Sequence, residues 1–233
     1  VVMPRLPGHG RPPRPDGRDD LTGLPTAADW GPAYDGFVTT LGALMEHSPD
    51  ERVIIGFSAG GGLALRAVAQ RPALYSRLVL LAPLIGIRGG TAVEWLAWQL
   101  GRAPGTATLD VKHFGPRAEC EGWQAAGRGG FCAYELRHAA GLVGLVRALR
   151  ADWKKRPLPL PVHIVMAGEE RYVSNDATLG FVAGQRALGG VVSISILEAV
   201  PHEMLTPYEN VGREMTWLAG LQEAIVAAAG GAP

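Results

Sequence analysis

The sequence predicts an α/β protein, a mostly parallel sheet flanked by helices with a helical cap as an insertion. Three observations lead there. Short β-branched or continuously apolar segments alternate with segments of helical periodicity, the pattern of parallel strands joined by crossover helices. Between Arg88 and Arg156 the alternation stops for about seventy residues, as expected of a segment folded over one end of the sheet. The chain opens on Val1-Val2-Met3, which reads as the end of a buried strand, so the first strands are expected upstream of residue 1. The expected organisation is a core over 1–87 and 157–233 with a cap over 88–156.

Composition bounds the function. With 233 residues, 47% of them hydrophobic and 19% charged, the chain can bury a core and is not a disordered segment. Its 22 basic side chains balance 22 acidic ones, which argues against a nucleic-acid partner. Two cysteines, Cys120 and Cys132, make no disulfide framework, and no CxxC or Cys/His cluster points to zinc. The apolar run Leu78 to Ile87 is about half the roughly 20 residues of a membrane helix, so no transmembrane segment is expected. No charged stretch precedes an apolar one at the start, so no signal peptide is read here and a cytoplasmic location is expected.

The elements follow in order. From Ala28 to His47, Trp30, Tyr34, Phe37, Leu41 and Leu44 recur at spacings of three and four, an amphipathic helix ended by Ser48-Pro49-Asp50. Arg52 to Phe57 is short and apolar throughout, a strand expected to be covered on both faces. Gly60 to Gln70 is rich in small and apolar residues, a closely packed helix stopped by Pro72. Leu78 to Ala82 and Val162 to Ala167 are the next buried strands. A helix from Asp176 to Leu188 leads to a strand over Val191 to Leu197. The last helix is expected from Tyr208 to Ala229, with Met215, Leu218, Leu221 and Ile225 as its apolar stripe. In the cap, Trp95, Trp98, Trp123, Phe131 and Tyr134 accompany a helical pattern from Glu135 to Arg150.

The sharpest motif is Gly56-Phe57-Ser58-Ala59-Gly60. A buried strand runs into it and a small-residue helix leaves it, the setting of a nucleophile elbow. Such a turn holds serine in a crowded backbone conformation, so the residues two positions either side are expected to need glycine's lack of bulk. A Gly-rich strand-to-helix turn or a phosphate-binding loop would read the same way. A serine needs a base. His202 stands just past the last strand, before the terminal helix, which brings it to the sheet end that carries Ser58. His163 lies within a strand, His47 ends a helix, His113 and His138 belong to the cap, and His9 follows the first strand. A carboxylate to orient the imidazole is expected after the strand Val162 to Ala167, where Glu169, Glu170 and Asp176 are candidates. Asp176 also suits a helix cap.

Taken together, Pro4-Arg5-Leu6-Pro7-Gly8-His9-Gly10, Gly56 to Gly60, Ala167 to Asn175 and Pro201-His202-Glu203-Met204-Leu205 resemble the α/β-hydrolase fold superfamily, of the lysophospholipase, monoacylglycerol lipase and carboxylesterase type. The resemblance implies an α/β-hydrolase fold and a serine esterase with Ser58 as nucleophile, His202 as base and Glu170 as the acid. Glu170 is selected because the family's acid precedes a valine by three positions; most relatives carry Asp there. Ala59, next after the nucleophile, would give one oxyanion-hole amide, while the second would come from a His-Gly loop upstream of residue 1. The implied substrate is a small-molecule or lipid ester such as a monoacylglycerol or lysophospholipid, and neither metal nor organic cofactor is required. Thioester, amide or haloperoxidase chemistry on the same scaffold stays open, as does a catalytically silent binding protein.

Trp95, Trp98 and the apolar helix from Leu142 to Leu149 fit either a greasy lid for an acyl chain or the cap's own core. Residues 101–156 hold ten Lys/Arg against five Asp/Glu, an excess that would favour contact with an anionic membrane surface or be a solvated helix end.

Overall fold

The computed structural model describes residues 4–9, 14, 20–47, 51–112, 133–205 and 215–230. The expected strand at Val1-Val2-Met3, both cysteines, His113, Trp123 and Phe131 lie outside them. The chain divides into two compact units, 1–37 with 92–145, and 38–91 with 146–233. Helices α1 (Trp30–Glu46), α3 (Gly90–Leu100) and α4 (Leu136–Trp153) each pass from one unit into the other.

In the second unit, β1 (Val53–Phe57), β2 (Arg77–Leu81), β5 (Val162–Glu169) and β6 (Val192–Pro201) form one sheet in the order β1-β2-β5-β6. Every pairing is parallel, with Ile55 beside Val79, Leu80 beside Ile164 and Val165 beside Ser195. Helix α2 (Ala59–Gln70) links β1 to β2, and α5 (Asn175–Ala187) links β5 to β6. Side chains alternate across the sheet. Val79, Leu81, Val165 and Ala167 face a cluster that includes Met204 and Leu221, the latter on α6 (Leu218–Ala228). Buried Leu63, Ala64, Ala67 and Val68 line the inner side of α2. The α/β fold and the parallel sheet are as the alternating pattern predicts.

Four elements depart from expectation. β1 reads as a strand covered on both faces, yet it ends the sheet among the described residues, and Ile55 is 50% exposed. β5 and β6 both run further than their apolar runs, because pairing continues to Glu169 and Pro201 after a register shift between Ala167 and Glu169. The terminal helix begins at Leu218. Met215 to Trp217 precede it without helical structure, and the expected start at Tyr208 lies outside the described residues. Trp217 packs against the core cluster, and its indole N–H donates to the Met204 carbonyl at 3.3 Å.

In the first unit, α1 is entered through a capping box. The Thr26 amide and hydroxyl donate to Asp29 Oδ1 at 2.6 and 2.7 Å, and the Ala28 amide donates to Thr26 Oγ1. Helix α4 lets this loop come close through small residues: a Cβ on Gly141 would lie 2.8 Å from the Pro25 carbonyl oxygen, and one on Gly144 would lie 2.5 Å from the Trp30 indole nitrogen. A short antiparallel pair, β3 (Asp110–Lys112) and β4 (Ala133–Glu135), completes the unit.

The apolar stretch of α4 is core: Val143, Leu145, Val146 and Leu149 are buried. Helix α3 is the reverse, with Val93, Trp95 and Leu96 exposed (Trp95 at 58%) and Glu94 buried. Trp95 therefore does not fill a cap core, while Trp98 is half-buried with the Arg102 guanidinium 5.1 Å from its ring centroid.

Candidate active site

The site begins where β1 stops. Ser58, between β1 and α2, has φ 51° and ψ −120°, a region that L-residues other than glycine rarely occupy. Its neighbours hold it there. The Ser58 amide donates to the Leu81 carbonyl at 3.0 Å, and the Ser58 carbonyl accepts from the Gly61 amide at 2.9 Å. A Cβ on Gly56 would stand 2.6 Å from Gly61 Cα, so Gly56 is sterically required. Gly60 is not, since a Cβ there meets nothing within 4 Å. The second crowded glycine is Gly61, whose Cβ would stand 2.8 Å from Pro83; the helix rotates that position, and not Gly60, toward the loop after β2. Helix α2 starts at Ala59, so its first amides have no acceptor within the helix and sit at the positive end of its dipole.

β6 ends at Pro201, and the following turn presents His202. β5 ends at Glu169, and Glu170 comes next. The parallel order places both turns and the elbow at the carboxyl ends of their strands. His202 Nε2 lies 2.9 Å from Ser58 Oγ, and His202 Nδ1 lies 2.8 Å from Glu170 Oε2. A carboxylate only accepts, so Nδ1 carries the proton, which leaves Nε2 to accept from the serine hydroxyl. The side chains of His202 and Glu170 are 5% and 4% exposed, so water competes little for either bond. Glu170 Oε1 accepts from the amides of Arg171, Tyr172 and Val173 at 2.8, 2.8 and 3.1 Å. Burial alone would raise this carboxyl's pKa. The hydrogen bond and charge of His202, with the Tyr172 and Val173 amides, outweigh burial and hold it below the ordinary carboxylate value.

Two rings wall the imidazole, Phe57 at 5.3 Å and Tyr172 edge-on at 5.1 Å between centroids. Sequence reasoning names neither. Phe57 is the variable position of the serine motif and Tyr172 lies two residues past the acid, so their positions were in view but their packing was not.

The other candidates fall elsewhere. Glu169 is exposed on β5 beside Pro201. Asp176 sits in the first turn of α5, whose cap is Ser174, its hydroxyl oxygen accepting from the Ala177 amide. His163 lies between the Ser193 and Ser195 hydroxyls at 2.8 and 3.2 Å on β6. His9 and His47 bond local carbonyls, those of Pro7 and Ala43, and buried His138 bonds the Pro25 carbonyl. Among the described residues no group of three or more His, Cys, Asp or Glu could hold a metal ion, and no helix is long and apolar enough to cross a membrane.

A strained serine at a strand-to-helix turn, joined to a histidine and a carboxylate from two later strand ends, is the arrangement of a hydrolase built on a parallel α/β sheet. The sequence model of the alpha/beta hydrolase family matches residues 1–211, and the chain belongs to that family. Over 95 residues it is 34% identical to Lipase LipV of Mycobacterium tuberculosis, a match covering 40% of this chain and 31% of that lipase. The chain thus spans under a third of that relative's length in the match. The fold is similar to that of a monoacylglycerol lipase from Paleococcus ferrophilus, with TM-score 0.62 and 13% identity over 84% of this chain and 74% of the other. It is also similar to a thermostable carboxyl esterase from Bacillus coagulans, with TM-score 0.59 and 13% identity over 85% and 70%.

Proposed function

We propose that the protein cleaves carboxylic esters through an acyl-enzyme on Ser58, with His202 as base and Glu170 as the residue that orients it. The observation that carries this is the buried line from Ser58 Oγ through the His202 ring to Glu170 Oε2, two hydrogen bonds of 2.9 and 2.8 Å. Ser58 Oγ attacks the ester carbonyl carbon as its proton passes to His202 Nε2. Glu170 stabilises the imidazolium that forms. The Ala59 amide, at the start of α2, faces the charge developing on the carbonyl oxygen. His202 then gives its proton to the departing alkoxide, and the same ring activates water to release the acid and restore Ser58. Each step moves one proton and needs no metal or organic cofactor.

The substrate class that fits is an acyl-lipid or small ester, such as a monoacylglycerol or lysophospholipid. The likeness to lipases and an esterase supports it, as does the exposed apolar side of α3. In this reading residues 88–156 act as the cap. Their described residues contribute α3, the β3–β4 pair and α4, and no strand of the main sheet. Contact with a membrane surface belongs to the same proposal.

The test is labelling by a fluorophosphonate probe together with hydrolysis of p-nitrophenyl esters of increasing acyl length. Ser58→Ala is expected to abolish both. Labelling that survives the substitution would remove Ser58 as nucleophile, and thioester turnover exceeding ester turnover would reassign the reaction.

A further inference from the structure

The segment after β2, Ala82 to Arg88, touches both halves of this site. Ala82 has φ 39°, and it and Ser58 are the described non-glycine residues with positive φ. Its amide still donates across to the Val165 carbonyl on β5 at 2.8 Å, and the positive φ then bends the chain off the end of β2. Pro83 then packs against Gly61, and the Leu84 amide donates to the Ser58 carbonyl at 2.8 Å. Two to four residues later the same segment meets the acid loop. The Gly86 carbonyl accepts from the Ser174 amide, Ile87 pairs with Val173, and the Arg88 amide donates to the Tyr172 carbonyl. The Arg88 guanidinium donates to the carbonyl of Glu170 itself at 3.0 Å. Residues 81 to 86 are buried throughout, whereas Arg88 is exposed.

We propose that Ala82 to Arg88 is a tie that sets the spacing between Ser58 and Glu170, with Ala82 and Arg88 as its positioning residues. This rests on the reading of Ser58 and Glu170 given above. His202 bonds both groups at once, so its ring fits only when they stand a fixed distance apart. Among the described residues, the other backbone path from the elbow to the acid loop runs through β2 and β5. Ala82 supplies the sharp turn that sends the Leu84 amide to Ser58. Arg88 locks the far end onto the backbone of the acid. The tie touches no substrate and transfers no proton.

The experiment compares the parent protein with Arg88→Ala, Ala82→Gly and Ala82→Val. The readouts are fluorophosphonate labelling rate, kcat and KM on p-nitrophenyl butyrate, and the thermal midpoint. Arg88→Ala is expected to lower kcat and labelling about tenfold, with KM within about twofold and the midpoint within about 2 °C. Ala82→Val cannot hold the positive φ and is expected to slow labelling about a hundredfold. Ala82→Gly holds it freely and keeps the parent rate within about twofold. Should Ala82→Val fail to fold, Arg88→Ala decides alone.

Variants that melt earlier yet label at the parent rate would make the segment merely structural and overturn the tie. A raised KM with unchanged kcat in Arg88→Ala would make that side chain a substrate contact, with the same result. Ser58→Ala, run alongside, keeps the two readings apart: if it still labels, the nucleophile assignment falls and the tie falls with it. If it is silent while the Arg88 and Ala82 variants match the parent, the tie alone fails.

Discussion

Glu170 does two things at once. One oxygen serves His202, while the other gathers three successive backbone amides. Glu170→Gln keeps the shape but reverses the preference of the bond to Nδ1, because an amide nitrogen cannot accept. A fall in kcat of roughly 10³–10⁴ is expected, read on the same ester substrate. The carboxyl also contributes to folding. Its pKa is held below the ordinary value, so its ionised form is favoured in the folded state. The stability it adds is present above the unfolded carboxyl's value and is lost as pH falls through the folded one. Thermal midpoints taken from neutral pH into the acid range should drop more steeply for the parent than for Glu170→Gln. A parallel decline would remove that linkage. Ser58 was legible because it directly follows a strand whose apolar run is plain. His202 follows a β6 that runs on past the apolar stretch ending at Leu197, so only its place beyond the last strand was legible. Glu170 was separable from Glu169 only through the family resemblance, whose acid precedes a valine by three positions. That its carboxylate folds back over the next three amides is seen only in the structure. The rings of Phe57 and Tyr172 were not legible, since their approach to His202 is made by three separate strand ends.

Glycine usage divides the helices into those that need it and those that do not. On α4, a methyl group at Gly144 would meet the Trp30 indole, so Gly144→Ala is expected to cost about 1–3 kcal/mol through overpacking. A lower thermal midpoint with altered tryptophan emission would register it. On α5, Gly180 meets nothing within 4 Å and is exposed. There Gly180→Ala is expected to add about 0.5–1 kcal/mol by restricting the unfolded chain and favouring helix. A midpoint that does not rise would contradict that accounting. Sequence periodicity found these helices but not their contacts. It placed the glycines two residues either side of Ser58 on equal footing, although of Gly56 and Gly60 only Gly56 is crowded. It also ended β6 too early. Glu198 and Ala199 look like a loop in a hydrophobicity reading, and they fall in the register shift between the Ala167–Leu197 and Glu169–Pro201 pairs, beyond which the strand resumes.

At the scale of the whole molecule, the parallel sheet was legible because strand and helix periods alternate over most of the chain. Strand order was not, since periodicity is local and order depends on which strands become neighbours. β1 shows the consequence. Its sequence is that of an interior strand, yet it forms the margin of the described sheet with Ile55 half uncovered. Among the described residues no strand pairs with its outer edge, and an apolar strand edge left unpaired is a template for foreign chains. Light scattering of a purified chain of residues 1–233 should therefore climb with concentration. Ile55→Lys should suppress the climb and leave ester turnover intact, because a charge there discourages stacking. The strand that leads into Ser58 would then also be the seam along which these 233 residues clump, a few positions from the Ser58–His202 hydrogen bond.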